Sequence, residues 1–172
     1  MTTHKHCFGS KLECPFFLVG ILCISILLRS GIVASAQTGP SYFNDIISAK
    51  HKRFIEYQKT FLNFAQSNLG SNDEYEVATS LQTTATATSD HLNSVQTLLE
   101  IYGDLSCHED RARIQQVINR ELAFYSELTG SWIDSTNLNI AHTRLPGVAT
   151  ESTRMRDDLR EVKSIFEAIK FR

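Results

Sequence analysis

The chain has 172 residues, of which 42% are hydrophobic and 21% are charged, and its formal net charge is −2 at pH 7. This balance is typical of one globular domain. The slight excess of acidic residues offers no basic surface for a polyanion, so we expect no nucleic-acid partner.

The N-terminus has the layout of a secretory signal peptide. A weakly basic lead precedes an apolar run from Phe16 to Leu28, and Ala34-Ser35-Ala36 is a small-x-small cleavage pattern. We therefore predict a signal peptide over 1–36, cleavage after Ala36, and a secreted or periplasmic protein. The alternative is an uncleaved membrane anchor with the domain facing outside the cytoplasm, although this run is shorter than the roughly 20 residues that span a bilayer.

Cleavage would leave a domain that must be stable without cross-links. Three of the four cysteines would leave with the signal peptide, so Cys107 alone would stay. An exported domain with one cysteine has no internal disulfide. A mature chain of this length can bury a core large enough to fold without one.

The first predicted helix covers 42–69, after a short linker over 37–41. Ser41 is the expected N-cap, and Gly70 is expected to end the helix in the left-handed conformation. One side of this helix is rich in large apolar residues: Phe43, Ile47, Phe54, Phe61 and Phe64.

The second predicted helix, 73–102, has a regular apolar seam. Alternate steps of three and four residues select Ala78, Leu81, Ala85, Thr88, Leu92, Val95, Leu99 and Tyr102. This 3.5-residue spacing keeps one stripe of a helix against its neighbours, as in a coiled coil. Asn72 or Asp73 is the expected cap and Gly103 the expected stop. The stretch from Thr79 to Asp90 has five threonines, which are moderate helix formers, so tertiary packing must keep it helical.

The third and fourth predicted helices cover 107–141 and 150–171. Ser106 and Glu109 form a capping-box pattern at the start of the third, which we expect to bend near Gly130 and to stop before Pro146-Gly147. The fourth has apolar residues at heptad spacing: Met155, Leu159, Val162, Phe166 and Ile169. Four amphipathic helices with short connections predict an all-α, antiparallel up-down-up-down four-helix bundle over 42–172.

Counting residues across the first hairpin suggests which side chains meet. If the turn lies near residue 71, Phe61 faces Leu81 and Ala85, and Phe54 faces Thr88. Large side chains then meet small ones, as close packing requires. The small, threonine-lined patch around Thr84 and Thr88 is also a candidate pocket for a small ligand.

The same count places His51 opposite His91, with Asn119 to Glu121 of the third helix at that level. Two imidazoles at one level could bind a metal ion or ligate haem iron. Both histidines lie one position away from the apolar seam, so the alternative is a pair of partly exposed polar residues.

Cys107 follows its predicted N-cap directly. The positive end of the helix dipole and nearby Arg111 favour its thiolate, which suggests redox chemistry or an intermolecular disulfide. The alternative is a half-buried thiol that fills a corner where the helix starts.

The sequence contains no paired catalytic carboxylates, no nucleophile with its base and no phosphate-binding loop. Our leading interpretation is an exported, non-enzymatic helical bundle that binds a partner protein or itself. The alternative is a bundle that binds a small ligand, a metal ion or haem through His51 and His91.

Overall fold

The computed structural model of the chain describes residues 40–171; the predicted signal peptide and most of the predicted linker lie outside that range. The described residues form four helices and no strand. The helices are α1 (Pro40–Ser67), α2 (Asn72–Asp104), α3 (His108–His142) and α4 (Pro146–Ala168). The prediction of an all-α fold with four helices is confirmed. None of these helices is both long enough and apolar enough to cross a membrane.

The ends of α1 differ from the prediction. The helix begins at Pro40 instead of after Ser41, because proline suits a first turn that needs no backbone N–H. It ends at Ser67, and Gly70 does not adopt the predicted left-handed conformation. The side-chain amide of Asn68 instead donates to the carbonyl of Phe64 at 2.7 Å, which satisfies one of the last free carbonyls.

The predicted caps of α2 and α3 are also wrong. Ser71 is the N-cap of α2, and Gly103 lies inside that helix. Cys107 is the N-cap of α3, one residue later than predicted, so Ser106 lies outside the helix and the capping box does not form. Neither N-cap side chain bonds the backbone.

The third helix stops before Pro146-Gly147 as predicted, but the fourth helix begins at Pro146, four residues earlier than predicted. α3 continues through Gly130 to His142, three residues follow, and Pro146 then opens α4, which ends at Ala168. Gly147 packs closely against Phe64: a Cβ at this position would lie 3.3 Å from the ring, which would have to shift by a few tenths of an ångström to accept a larger residue.

The core is built from the predicted apolar seams. α1 packs most extensively against α2, and α3 against α4. Phe54, Phe61, Leu81 and Ala85 are completely buried in one cluster. The predicted heptad residues Met155, Leu159, Val162 and Phe166 of α4, together with Ile169 just after its end, belong to the same cluster.

Several buried hydroxyl groups are satisfied within their own helices, whereas that of Thr136 has no hydrogen-bond partner. Thr84 donates to the carbonyl of Ser80, and Thr129 to that of Tyr125, each four residues earlier. Ser152 bonds the carbonyl of Val148 in the same way. A hydroxyl bonded in this manner can be buried without a partner on another helix. This explains how a threonine-rich helix can face a core.

Adjacent residues Phe61 and Leu62 test this packing. Phe61→Ala is expected to lower the free energy of unfolding by about 3–5 kcal/mol, because it leaves a cavity between α1 and α2. Leu62→Ala is the matched control: its side chain is 46% exposed, so we expect a loss below about 1 kcal/mol. Urea unfolding followed by circular dichroism measures both, and equal losses would contradict the packing.

Candidate functional site

His91 has the most specific surroundings of the predicted site residues. Its half-buried imidazole lies where α2 meets α3, with ring centroids 4.0 Å from Tyr125 and 5.3 Å from Trp132. The rings are nearly parallel, at 13° and 18° to the imidazole. Tyr125 and Trp132 are seven residues apart on α3, or about 10 Å, so the imidazole lies between them.

Burial keeps this imidazole uncharged. It lowers the pKa of His91, and the nearby carboxylates of Asp90 and Glu121 oppose the shift without reversing it. The ring is therefore neutral at pH 7. Its Nδ1 atom is buried without a hydrogen-bond partner, which is an exception among buried polar atoms.

Glu121 links the stack to a second titratable group. Burial raises the pKa of Tyr125, and the nearby carboxylate of Glu121 acts in the same direction by favouring the protonated hydroxyl. The arrangement holds a neutral imidazole between the aromatic rings of Tyr125 and Trp132.

His51, the predicted partner of His91, is half-buried on α1. The ring of His91 is directed towards α3, where Glu121 of the predicted 119–121 stretch lies near it. In residues 40–171, no group of three or more His, Cys, Asp or Glu side chains is arranged to hold a metal ion. A metal or haem site at His51 and His91 stays a prediction.

Thr84 and Thr88, the candidate pocket residues, are buried. The Thr84 hydroxyl donates to Ser80 O at 3.1 Å and the Thr88 hydroxyl to Thr84 O at 2.9 Å. Both donors are therefore used by the backbone of α2. A ligand at this position would have to bond the hydroxyl oxygens as acceptors.

Cys107 is a free, exposed cysteine at the N-cap of α3. Arg111, which was expected to favour its thiolate, donates through Nε to the carbonyl of Leu105 and lies 5.9 Å from the ring centre of Tyr102. The guanidinium is thus engaged with the end of α2. Exposure leaves the thiol accessible to a second thiol.

Two open clefts lie at opposite ends of α2. One, of about 520 Å³, is beside the start of α2 and includes Asp73, Glu76, His142 and Arg144 among its lining residues. The other, of about 560 Å³, is beside the end of α2 and includes Arg111. Charged side chains line both, and neither includes Thr84 or Thr88.

A cluster of charged residues joins α1 to α4, and sequence reasoning missed it. Asp158 of α4 accepts hydrogen bonds from Lys50 Nζ at 2.7 Å and from the Tyr57 hydroxyl at 2.6 Å. Arg53 Nε lies 3.4 Å from the same carboxylate, and Lys50 also bonds Glu161. The partners are about a hundred residues apart in the chain, so no local pattern pairs them.

The electrostatics of this cluster favour the ion pair. Burial opposes charge on Asp158, but hydrogen bonds from Lys50 and Tyr57 outweigh it and lower the pKa of that carboxyl group. Burial likewise opposes charge on Lys50, yet its bonds to Asp158 and Glu161 raise the pKa of the amine. For Tyr57, burial and the bond to Asp158 both raise the pKa.

Glu74 is a second polar contact that the sequence did not indicate. Its buried carboxylate accepts hydrogen bonds from the Thr143 hydroxyl and the Arg144 N–H, both at 2.6 Å. These two bonds lower the pKa of Glu74. The carboxylate thus fastens the connection between α3 and α4 to the start of α2.

No protein-family model, curated protein or solved structure matches this chain.

Adjacent residues Asp157 and Asp158 test the α1–α4 cluster. Asp158→Ala leaves Lys50 and the buried Tyr57 hydroxyl without their shared acceptor, so we expect a loss of about 2–3 kcal/mol in the free energy of unfolding. Asp157 bonds only the neighbouring Arg156 and Arg160 of its own helix, and Asp157→Ala should cost less than about 1 kcal/mol. Chemical denaturation measures both, and a similar effect of the two variants would refute a structural role for the cluster.

Glu74 should contribute to stability against acid. Because its pKa is lower in the folded chain, its contribution is complete above the unfolded pKa of about 4.3 and is lost as the pH falls through the folded pKa. Glu74→Gln should therefore reduce stability at pH 7 and flatten its decline below about pH 4.3. Denaturation curves between pH 3 and pH 7 measure this, with Glu76→Gln, at an exposed position, as control. An unchanged slope would contradict the assignment.

Proposed function

We propose that this chain is an exported, non-enzymatic helical bundle that acts through contacts with a partner protein or a second copy of itself. The observation that carries the proposal is apolar surface repeated along helix faces. The clearest case is on α3, where Phe124 is 52% exposed and Leu138 is 62% exposed. Leu62 on α1 and Leu69 in the turn after α1 are also exposed, at 46% and 71%. Fourteen residues, or two heptads, separate Phe124 from Leu138, which places them on one stripe of α3.

The interior supports the same proposal. Single exposed apolar residues are normal, whereas a row of them on one face is typical of an interaction surface. Beneath this surface the core is filled by packed side chains. The buried hydroxyls of Thr84, Thr88 and Thr129 donate to backbone carbonyls of their own helices. Recognition through the outer surface is therefore favoured over a ligand chamber.

We further propose the antiparallel up-down-up-down arrangement. Contacts in which residue numbers rise on one helix as they fall on the other support it. Between α2 and α3, Ser80 meets Asn139 and His91 meets Trp132. Between α3 and α4 the pairs are Ser126 with Glu167 and Asn137 with Arg156.

The proposal of export rests on the layout of 1–36. A cleaved signal peptide would release the domain as a secreted or periplasmic protein, and an uncleaved one would hold it at the outer face of a membrane. In either case the helices would meet partners outside the cytoplasm.

Multi-angle light scattering, combined with cross-linking in the producing cell, tests the proposed function. We expect either a species heavier than one chain or a cross-linked partner. Replacing Phe124 and Leu138 by serine should weaken that association if the α3 row is used. Leu62 on α1 and Leu69 in the turn after it provide the matched substitutions. A monomer at every concentration, with no partner cross-linked, would refute the proposal.

A further inference from the structure

The outer face of α3 has four charges at seven-residue intervals. They are Arg113, Arg120, Glu127 and Asp134, and we call them the charged stripe. All four are exposed, with the side chains of Arg113 and Arg120 79% and 75% exposed. Their order along the helix is positive, positive, negative, negative.

The residues of the charged stripe form few ion pairs within one chain. Arg113 lies 4.0 Å from Asp110 and Arg120 lies 3.5 Å from Glu121, both near neighbours on the same exposed helix. Such pairs contribute little. Among the ion pairs of residues 40–171, none includes Glu127 or Asp134.

A row of apolar and small residues runs beside the charged stripe. Val117, Phe124, Ser131 and Leu138 also recur every seven residues. Phe124 is 52% exposed and Leu138 62% exposed. An apolar row flanked by charges at heptad spacing is how a helix surface is built to meet a second helix.

We propose that two copies of this chain pair through the outer faces of α3, with these helices antiparallel and a two-fold axis between Ala123 and Phe124. The proposal rests on the proposed function and names the partner. Arg113 then meets Asp134 of the second copy, and Arg120 meets its Glu127. Symmetry repeats both pairs, because an isologous interface uses the same patch twice.

The position of the axis supports full overlap of the helices. Both charge pairs are centred on the same point, between residues 123 and 124, which is close to the middle of α3 (His108–His142). Two helices of about 50 Å would therefore lie side by side over nearly their whole length. Phe124 would face its own copy near the axis.

Charge selects this orientation over the parallel one. In a parallel pairing, arginines would lie beside arginines and carboxylates beside carboxylates, which disfavours that alignment. Each exposed ion pair adds little affinity. The charged stripe therefore fixes orientation and register, while the apolar row supplies the buried contact.

Sedimentation equilibrium of the full chain tests the pairing. Reversing two charges, Arg113→Glu with Arg120→Glu, makes the whole stripe acidic and should weaken dimerisation at least tenfold. Adding Glu127→Arg and Asp134→Arg inverts the stripe and should restore the dimer. The matched control reverses Arg154 and Arg160, exposed arginines of α4, and should leave the dimer unchanged. Circular dichroism confirms that each variant is folded.

Cross-linking tests the axis. In a chain with all four native cysteines replaced by serine, Ala123→Cys should form a disulfide-linked dimer on oxidation, whereas Ala141→Cys, near the end of α3, should not. If the dimer forms equally well after the charge reversal and does not cross-link at position 123, this pairing is wrong and the proposed function still stands. A monomer that cross-links to a different protein would likewise rule out this pairing and leave the proposed function standing. A monomer without any partner would overturn both.

Discussion

The contact between α1 and α2 depends on a difference in side-chain size. α1 contributes Phe54 and Phe61, and α2 offers small residues such as Ala85 and Thr88, all of them buried. Large rings can approach another helix closely only where its side chains are small. Burying threonine would be costly if its hydroxyl lacked a partner, but Thr88 bonds the carbonyl four residues earlier. The small residues of α2 can therefore be buried without leaving an unsatisfied hydroxyl at Thr88.

Polar contacts fasten this helix pair to the rest of the domain. α1 packs less extensively against α4 than against α2. Between α1 and α4, the carboxylate of Asp158 accepts hydrogen bonds from Lys50, Arg53 and Tyr57. At one end, Glu74 holds the connection between α3 and α4. With the inner faces occupied in this way, the proposed contact with a partner would use the outer faces of the helices.

Periodicity predicted the helices and much of the core, because apolar residues spaced by 3.5 can form a continuous stripe only on a helix. Helix ends were less predictable, because a few local bonds decide them: the amide of Asn68 ends α1 where a left-handed Gly70 was expected. Counting residues across the hairpin predicts how far along the bundle His91 lies. It does not predict the direction of the side chain, since each residue turns a helix by about 100°. The cluster around Asp158 had no signal in the sequence, because its two helices are joined only by tertiary contacts.

The proposed pairing joins two chains through the outer faces of α3 and leaves the core of each chain unchanged. The distance between the two copies of Cys107 tests it most directly, because that exposed cysteine lies at the N-terminal end of α3. Spin labels on Cys107, in a chain whose other three cysteines are serines, would be about 50 Å apart along the helix axis in the antiparallel pair. Pulsed electron paramagnetic resonance should give a distance distribution near or slightly above that value. A short distance, below about 25 Å, or no intermolecular coupling at all, would contradict the account.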